Sequence, residues 1–204
     1  MTTAMSKPDR QQDDTSGRSL DARAKNIHPG EWIVNDDRPI ATLLGSCVAV
    51  ALFDPVLRCG GLNHFMLPIR TRLTDGEYDS LLRGDYAMEV LVNAMLGRGA
   101  RKPRLLAKAF GGGNVVVGLR TSIGEGNVEF TRTWLEREGI ALVASDFGGS
   151  WARKVVFDPR TGEAFCRRIG SSQPVTTQVA LAEADYEKTL VKKPVEELPA
   201  IELF

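Results

Sequence analysis

Histidine is nearly absent from this sequence: His28 and His64 are the only two in 204 residues. Chemistry that needs an imidazole base near neutral pH therefore has two candidates. Cysteine is scarce too, with Cys47, Cys59 and Cys166, an odd number with no CxxC pair and no zinc-finger spacing. That excludes a disulfide framework and a zinc finger, and leaves free thiols as the expectation in a reducing cytoplasm. Charge of one sign is not in excess, since 26 Lys and Arg balance 26 Asp and Glu. A neutral chain carries no general electrostatic footprint for nucleic acid or anionic lipid. No apolar run is long enough to span a bilayer, because Arg, Asp, Asn or His interrupts each one. The N-terminal MTTAMSKPDRQQDDTSGRSLDARAK has no signal-peptide core. The expectation is a cytoplasmic globular chain with no nucleic-acid partner and no membrane insertion.

What is present divides into three stretches. Residues 1–26 are polar and read as a disordered N-terminal tail. Residues 27–170 carry alternating strand and helix signals and form the expected domain. Residues 171–204, from SSQPVTTQ to VEELPAIELF, read as a C-terminal extension with a short helix around Val179–Leu190. Within the domain, VAVALF at Val48–Phe53 is a continuous apolar run of strand length, closed by the turn signal Asp54-Pro55. GLNHFML at Gly61–Leu67 is its return strand, and IRTRLTDGEYDSLLRGD after it reads as loop. Met88, Leu91, Val92, Met95 and Leu96 form one helical stripe over Asp85–Leu96, stopped by Gly97 and Gly99. LLAKAF at Leu105–Phe110 is a strand ending in Gly111-Gly112-Gly113-Asn114. Asn127 is placed to cap a second helix, Val128–Glu138. A strand at Ile140–Ala144 and a hairpin of Val155–Phe157 with Glu163–Cys166 complete the pattern. The fold class expected is α/β: a single layered domain of mixed β-sheet packed with helices.

The segment with chemical content is TLLGSCVAVALFDPVLRCGGLNHFMLP, Thr42–Pro68. A glycine before Cys47 lets the backbone turn tightly and lets another group approach it. A cysteine at a strand start leaves amide N–H groups of Ser46 and Cys47 free to hold an oxyanion. If the two strands pair as a hairpin centred near Val56 and Leu57, Ala49 faces His64. Cys47 then lies diagonally from His64 on the same face, within side-chain reach. A thiol beside an imidazole is the nucleophile–base pair of amide hydrolysis, with His64 raising the thiolate fraction. A third polar group would orient the ring, and Thr42, Ser46 and Asn63 are the candidates. The structural alternative is a buried thiol acting as a small hydrophobe beside a core histidine. The sequence implies no histidine beside the thiol of Cys59 or Cys166, and both read as structural thiols.

LLGSCVAVALFDP followed by GGLNHFMLP resembles the CheD family, the chemoreceptor glutamine deamidases. AKAFGGGNVV at Ala107–Val116, IGEGN at Ile123–Asn127 and DFGGSWARKVVFDPRTGE at Asp146–Glu163 extend the resemblance, in order, over about Pro29–Arg168. It implies that Cys47 is the nucleophile, His64 its partner and Thr42 the third catalytic residue. It implies hydrolysis of selected receptor glutamines to glutamate during chemotactic adaptation, with no metal or organic cofactor. It further implies a fold related to cysteine-dependent deamidase toxins, and in some bacteria a complex with a CheC-type phosphatase. The family commonly has an arginine where Gly126 stands here. Rival readings are a non-catalytic adaptor binding receptors or CheC, and transglutamination or receptor methyl-ester hydrolysis at the same dyad. A nucleotide site at Gly111–Gly113 lacks the lysine and hydroxyl of a P-loop, so those glycines read as a turn.

Overall fold

The computed structural model describes residues 17–35, 37–67, 76–115, 122–170 and 173–192. Among the described residues, nine strands lie in two sheets. One has the order β1 (Lys25–Asn26), β3 (Ile40–Leu44), β8 (Ala152–Phe157), β9 (Ala164–Ile169). The other has the order β2 (Trp32–Asn35), β5 (Cys59–Asn63), β4 (Val48–Asp54), β6 (Leu106–Gly111), β7 (Ala141–Phe147). Each sheet is mixed, with one parallel pair, β1–β3 in the first and β6–β7 in the second. Three longer helices accompany them: α1 (Gly76–Gly97), α2 (Ser122–Arg137) and α3 (Pro174–Lys192). The α/β class holds, and the mixed β-sheet expected from sequence is divided into two mixed sheets.

The layers follow from strand alternation. Val48, Val50 and Leu52 of β4 pack with Met88, Leu91, Val92 and Met95 of α1 and Trp134 and Leu135 of α2. The opposite face, Cys47, Ala49 and Ala51, packs with Ile40, Leu44, Val155 and Phe157 of the other sheet. Strand β4 is thus buried on both faces, which is why it reads as an unbroken apolar run. The break between sheets falls at Gly45-Ser46, where the chain leaves β3 and enters β4. Cys47 sits at that crossing.

Several sequence expectations need correction. Residues 17–26, assigned to a disordered tail, form a helical turn at 17–21 and β1, with Leu20 buried against Ala41 and Val156. Residues 1–16 of that tail lie outside the described residues. Helix α1 begins at Gly76 and so takes in ten residues read as loop. Residues 69–75 of that loop reading lie outside the described residues. Gly84 lies inside the helix, where a Cβ would sit 2.6 Å from Leu67 and Phe130 side-chain atoms, so the glycine lets the helix pack closely. Helix α2 starts six residues earlier than expected, and Asn127 lies inside it instead of capping it. Gly124 is again a contact: its Cβ would lie 2.6 Å from the Gly112 carbonyl. The extension forms α3, longer than the short helix expected; residues 193–204 lie outside the described residues.

Candidate active site

Register brings the sequence-predicted pair together. Strands β4 and β5 pair antiparallel with Ala51 opposite Leu62, and the pairing continues to Val48 opposite Phe65. Ala49 therefore falls opposite His64, and Cys47 lies one step diagonal on the same face. Cys47 and His64 are 0% and 1% exposed. The Cys47 Sγ, a ring nitrogen of His64 and a carboxylate oxygen of Glu183 all lie within 4.8 Å of one another.

Thr42 comes from the other sheet. Its hydroxyl donates to the Ile27 carbonyl at 2.8 Å and also lies 2.8 Å from His64 Nδ1. A threonine hydroxyl has one proton. With that proton on Ile27, Oγ1 accepts from the ring, so Nδ1 carries the hydrogen and Nε2 keeps its lone pair. Nε2 is buried and has no hydrogen-bond partner. This is the tautomer that can take a proton from a thiol. The other two orienting candidates are elsewhere. Asn63 accepts from the Val50 amide and donates to the Ala87 carbonyl, bracing α1 against the sheet. The Ser46 hydroxyl donates to Glu183.

The turn at Gly45-Ser46-Cys47 presents three successive amide N–H groups into one concavity. They donate to the Glu183 carboxylate at 2.8, 2.7 and 3.0 Å respectively. Such a row of amides favours anionic oxygen. What aims the amides is the fixing of all three carbonyls on the other side. Gly113 N donates to the Gly45 carbonyl, Asn127 Nδ2 to that of Ser46, and Gly112 N to that of Cys47. The triple-glycine turn is thus a brace for the cysteine turn. Gly111 and Gly112 have φ of 121° and 65°, and a Cβ on Gly111 would collide with the Cys47 carbonyl. The turn is anchored in its own right by Gly148 N to the Gly111 carbonyl, and by buried Arg153, which holds Asp146 and the Gly148 carbonyl.

Asn127 and Glu183 are the participants that sequence reasoning missed. Asn127 looked like a helix cap because a polar residue preceded an apolar run. Its amide instead joins two segments, accepting from Leu67 N at 2.7 Å and donating to Ser46 O at 2.9 Å. Asn127→Asp keeps the acceptor for Leu67 but loses the donor to Ser46. It is expected to lower turnover by about 10–100-fold, as loss of aim in an oxyanion cradle does. Chemical denaturation should show a smaller loss, about 1–2 kcal/mol for one hydrogen bond. An equal loss of stability and activity would assign Asn127 to packing alone. Glu183 had no signal, since it lies over 130 residues from its partners.

Electrostatics keep the resting pair neutral. Burial, then the Glu183 carboxylate, pushes the Cys47 thiol well above its ordinary value. Burial, then the charge of His28, lowers His64 to about 3. The sequence expectation that His64 holds Cys47 partly as thiolate is corrected for this state. Cys47, His64 and Glu183 are also the group that could offer ligands to a metal ion. The fit is poor: the Glu183 carboxylate already accepts four hydrogen bonds, three from amides and one from Ser46 Oγ. That fills about the four lone-pair sites a carboxylate has. An open groove bounded by Asp21, Lys108, Lys154, Phe165 and Arg167 does not touch the site, which Glu183 fills. No helix among the described residues is long and apolar enough to cross a membrane.

Known proteins share this arrangement of sequence. The family model for CheD chemotactic sensory transduction matches residues 66–168. A protein of Dechloromonas aromatica, named probable chemoreceptor glutamine deamidase CheD 2, is 54% identical over 189 residues, 92% of this chain and 96% of its own. The chain belongs to the CheD family. A Burkholderia thailandensis CheD, also named probable chemoreceptor glutamine deamidase CheD 2, is 42% identical over 86% of this chain and 91% of its own. A Xanthomonas campestris CheD, named probable chemoreceptor glutamine deamidase CheD, is 43% identical over 89% of each chain. Among solved structures, the Bacillus licheniformis hypothetical protein YfiH is similar at a TM-score of 0.39 and 14% identity, covering 61% of this chain and 59% of its own. That likeness is too slight to carry an argument about this chain. The family model begins two residues beyond His64, so Thr42, Cys47 and His64 rest on the site geometry.

Proposed function

We propose that this chain hydrolyses glutamine side chains of bacterial chemoreceptors to glutamate through Cys47, His64 and Thr42. One observation carries the reading: a buried thiol, an imidazole with its Nε2 lone pair free, and three aimed amides converge on one point. His64 Nε2 takes the thiol proton as Sγ bonds to the carboxamide carbon. The carbonyl oxygen becomes an oxyanion held by the amides of Gly45, Ser46 and Cys47. As the carbon–nitrogen bond breaks, His64 returns the proton to the departing nitrogen and ammonia leaves. Water then attacks the thioester with His64 as base, releasing glutamate and the thiol. Thr42 keeps the ring in the tautomer both half-reactions need.

The names of the relatives support chemoreceptors as the substrate. As parts of the same reading, the protein acts in the cytoplasm, its deamidase domain is built on residues 27–170 with β1 and α3 packed onto it, and a CheC-type phosphatase is its further partner. The buried Cys–His pair at the strand start supports kinship with cysteine-dependent deamidase toxins. The test is ammonia release from a receptor cytoplasmic fragment, matched one to one with new glutamates by peptide mass. Binding without ammonia would instead support the adaptor reading.

Thr42→Val keeps shape and removes the hydrogen-bond acceptor. It is expected to lower kcat by about 10–100-fold with KM little changed, the pattern of a mis-set tautomer. Ser46→Ala keeps all three amides and should cost less. The reverse order in kcat would move the orienting role away from Thr42.

A further inference from the structure

Helix α3 brings a glutamate to the place where the reaction would leave one. Its inward face is Thr176, Val179, Glu183 and Tyr186, spaced as one side of a helix. Thr176 Oγ1 ties the helix start to the Gly170 carbonyl, and Val179 and Glu183 are buried. Tyr186 lies so close to Gly30 that a Cβ there would be 2.6 Å from its hydroxyl oxygen. Glu183 enters the amide cradle, and a Cβ on Gly45 would lie 2.7 Å from its Oε2. A surface clamp would not need a carboxylate beside a buried nucleophile whose base has an unpartnered Nε2.

We infer that α3 is an internal product mimic: Glu183 occupies the cradle as the γ-carboxylate of a deamidated glutamine would. The inference rests on the deamidase reading above and adds to it an occupant of the same cradle from within the chain. In α3 the buried side chain is flanked by Ala182 and Ala184, so small neighbours let the helix approach the mouth. The intact chain is therefore self-occluded, and α3 must withdraw before a receptor glutamine enters. The raised thiol of Cys47 agrees, because an anion beside it disfavours thiolate.

The activity that follows is self-deamidation of Glu183→Gln. The carboxamide then sits at Cys47: Sγ bonds to its carbon, ammonia leaves with the proton carried by His64, and water resolves the thioester. The freshly purified variant should gain about one dalton at residue 183 on hydrolysis, or lose about 17 if the thioester persists. The double variant Glu183→Gln/Cys47→Ala should do neither. In parallel, Glu183→Ala should be alkylated at Cys47 by iodoacetamide at least about tenfold faster than the wild type at pH 7, since access and thiolate fraction both rise. An unchanged alkylation rate overturns the occlusion. Faster alkylation with residue 183 left as glutamine overturns the product-mimic pose. Because alkylation needs no deamidase activity, either failure is separable from failure of the function, which ammonia release from receptor reads independently.

Discussion

Cys47→Ala is expected to abolish ammonia release from chemoreceptor fragments, leaving no conversion above an enzyme-free control. The thiol is the group that forms the covalent intermediate, and removing a nucleophile of this kind costs about as much as removing the whole machinery. The fold should survive. Cys47 is fully buried on the inter-sheet face among Leu44, Ala49 and Phe110, and alanine fits a strand start there. Its amide still points into the cradle, so Glu183 still docks. Cys59→Ala and Cys166→Ala are expected to keep activity. Cys59 packs in the helix-facing core, and Cys166 lies on β9 in the other sheet, across from Val155. Both its burial and the nearby Asp146 push the Cys166 thiol up, to about 11, which makes it a poor nucleophile. Full activity in Cys47→Ala would end the account.

His64→Ala should lower turnover by at least about 10²-fold, the usual loss for a general acid–base group. A second readout follows from its protonation. Folded, His64 titrates near 3, below its ordinary 6.5, because burial disfavours the imidazolium. Between those values the unfolded chain takes up a proton that the folded chain refuses. The His64 contribution to stability is therefore intact above the ordinary value and falls as pH drops below it, toward 3. The melting temperature of the wild type should fall from pH 7 to pH 5, and His64→Gln should flatten that slope. Identical slopes in both proteins would mean that His64 is not buried as the neutral ring.

Legibility in the sequence followed the range of the interactions. The Cys47–His64 register was readable because one hairpin sets it, with Asp54 accepting from the amides of Val56 and Leu57 in its turn. The long apolar run of β4 and the stripe of α1 were readable for the same local reason. Thr42 could be named but not placed, since its approach to His64 depends on the packing of one sheet on the other, which no local pattern specifies. The starts of α1 and α2 were not readable. Gly84 fell in a stretch read as loop, and Gly124 lay ahead of the expected helix, yet both lie within helices at points of close approach. Asn127 was read as a cap because it stands directly before an apolar run. The docking of Glu183 was invisible, because a glutamate on an amphipathic helix has the same local pattern whether it faces water or a catalytic turn.

The central claim, water-dependent cleavage of a glutamine carboxamide at Cys47, is tested most directly by isotope. A receptor cytoplasmic fragment is incubated with the protein in water enriched in oxygen-18, and its intact mass is measured. Each converted glutamine is expected to gain about three daltons, against about one in ordinary water, because the second oxygen of the new carboxylate comes from solvent. The shift should map to glutamine positions and vanish with Cys47→Ala. An unchanged mass, a loss of methyl groups from esters, or a gain that persists without Cys47 would contradict it.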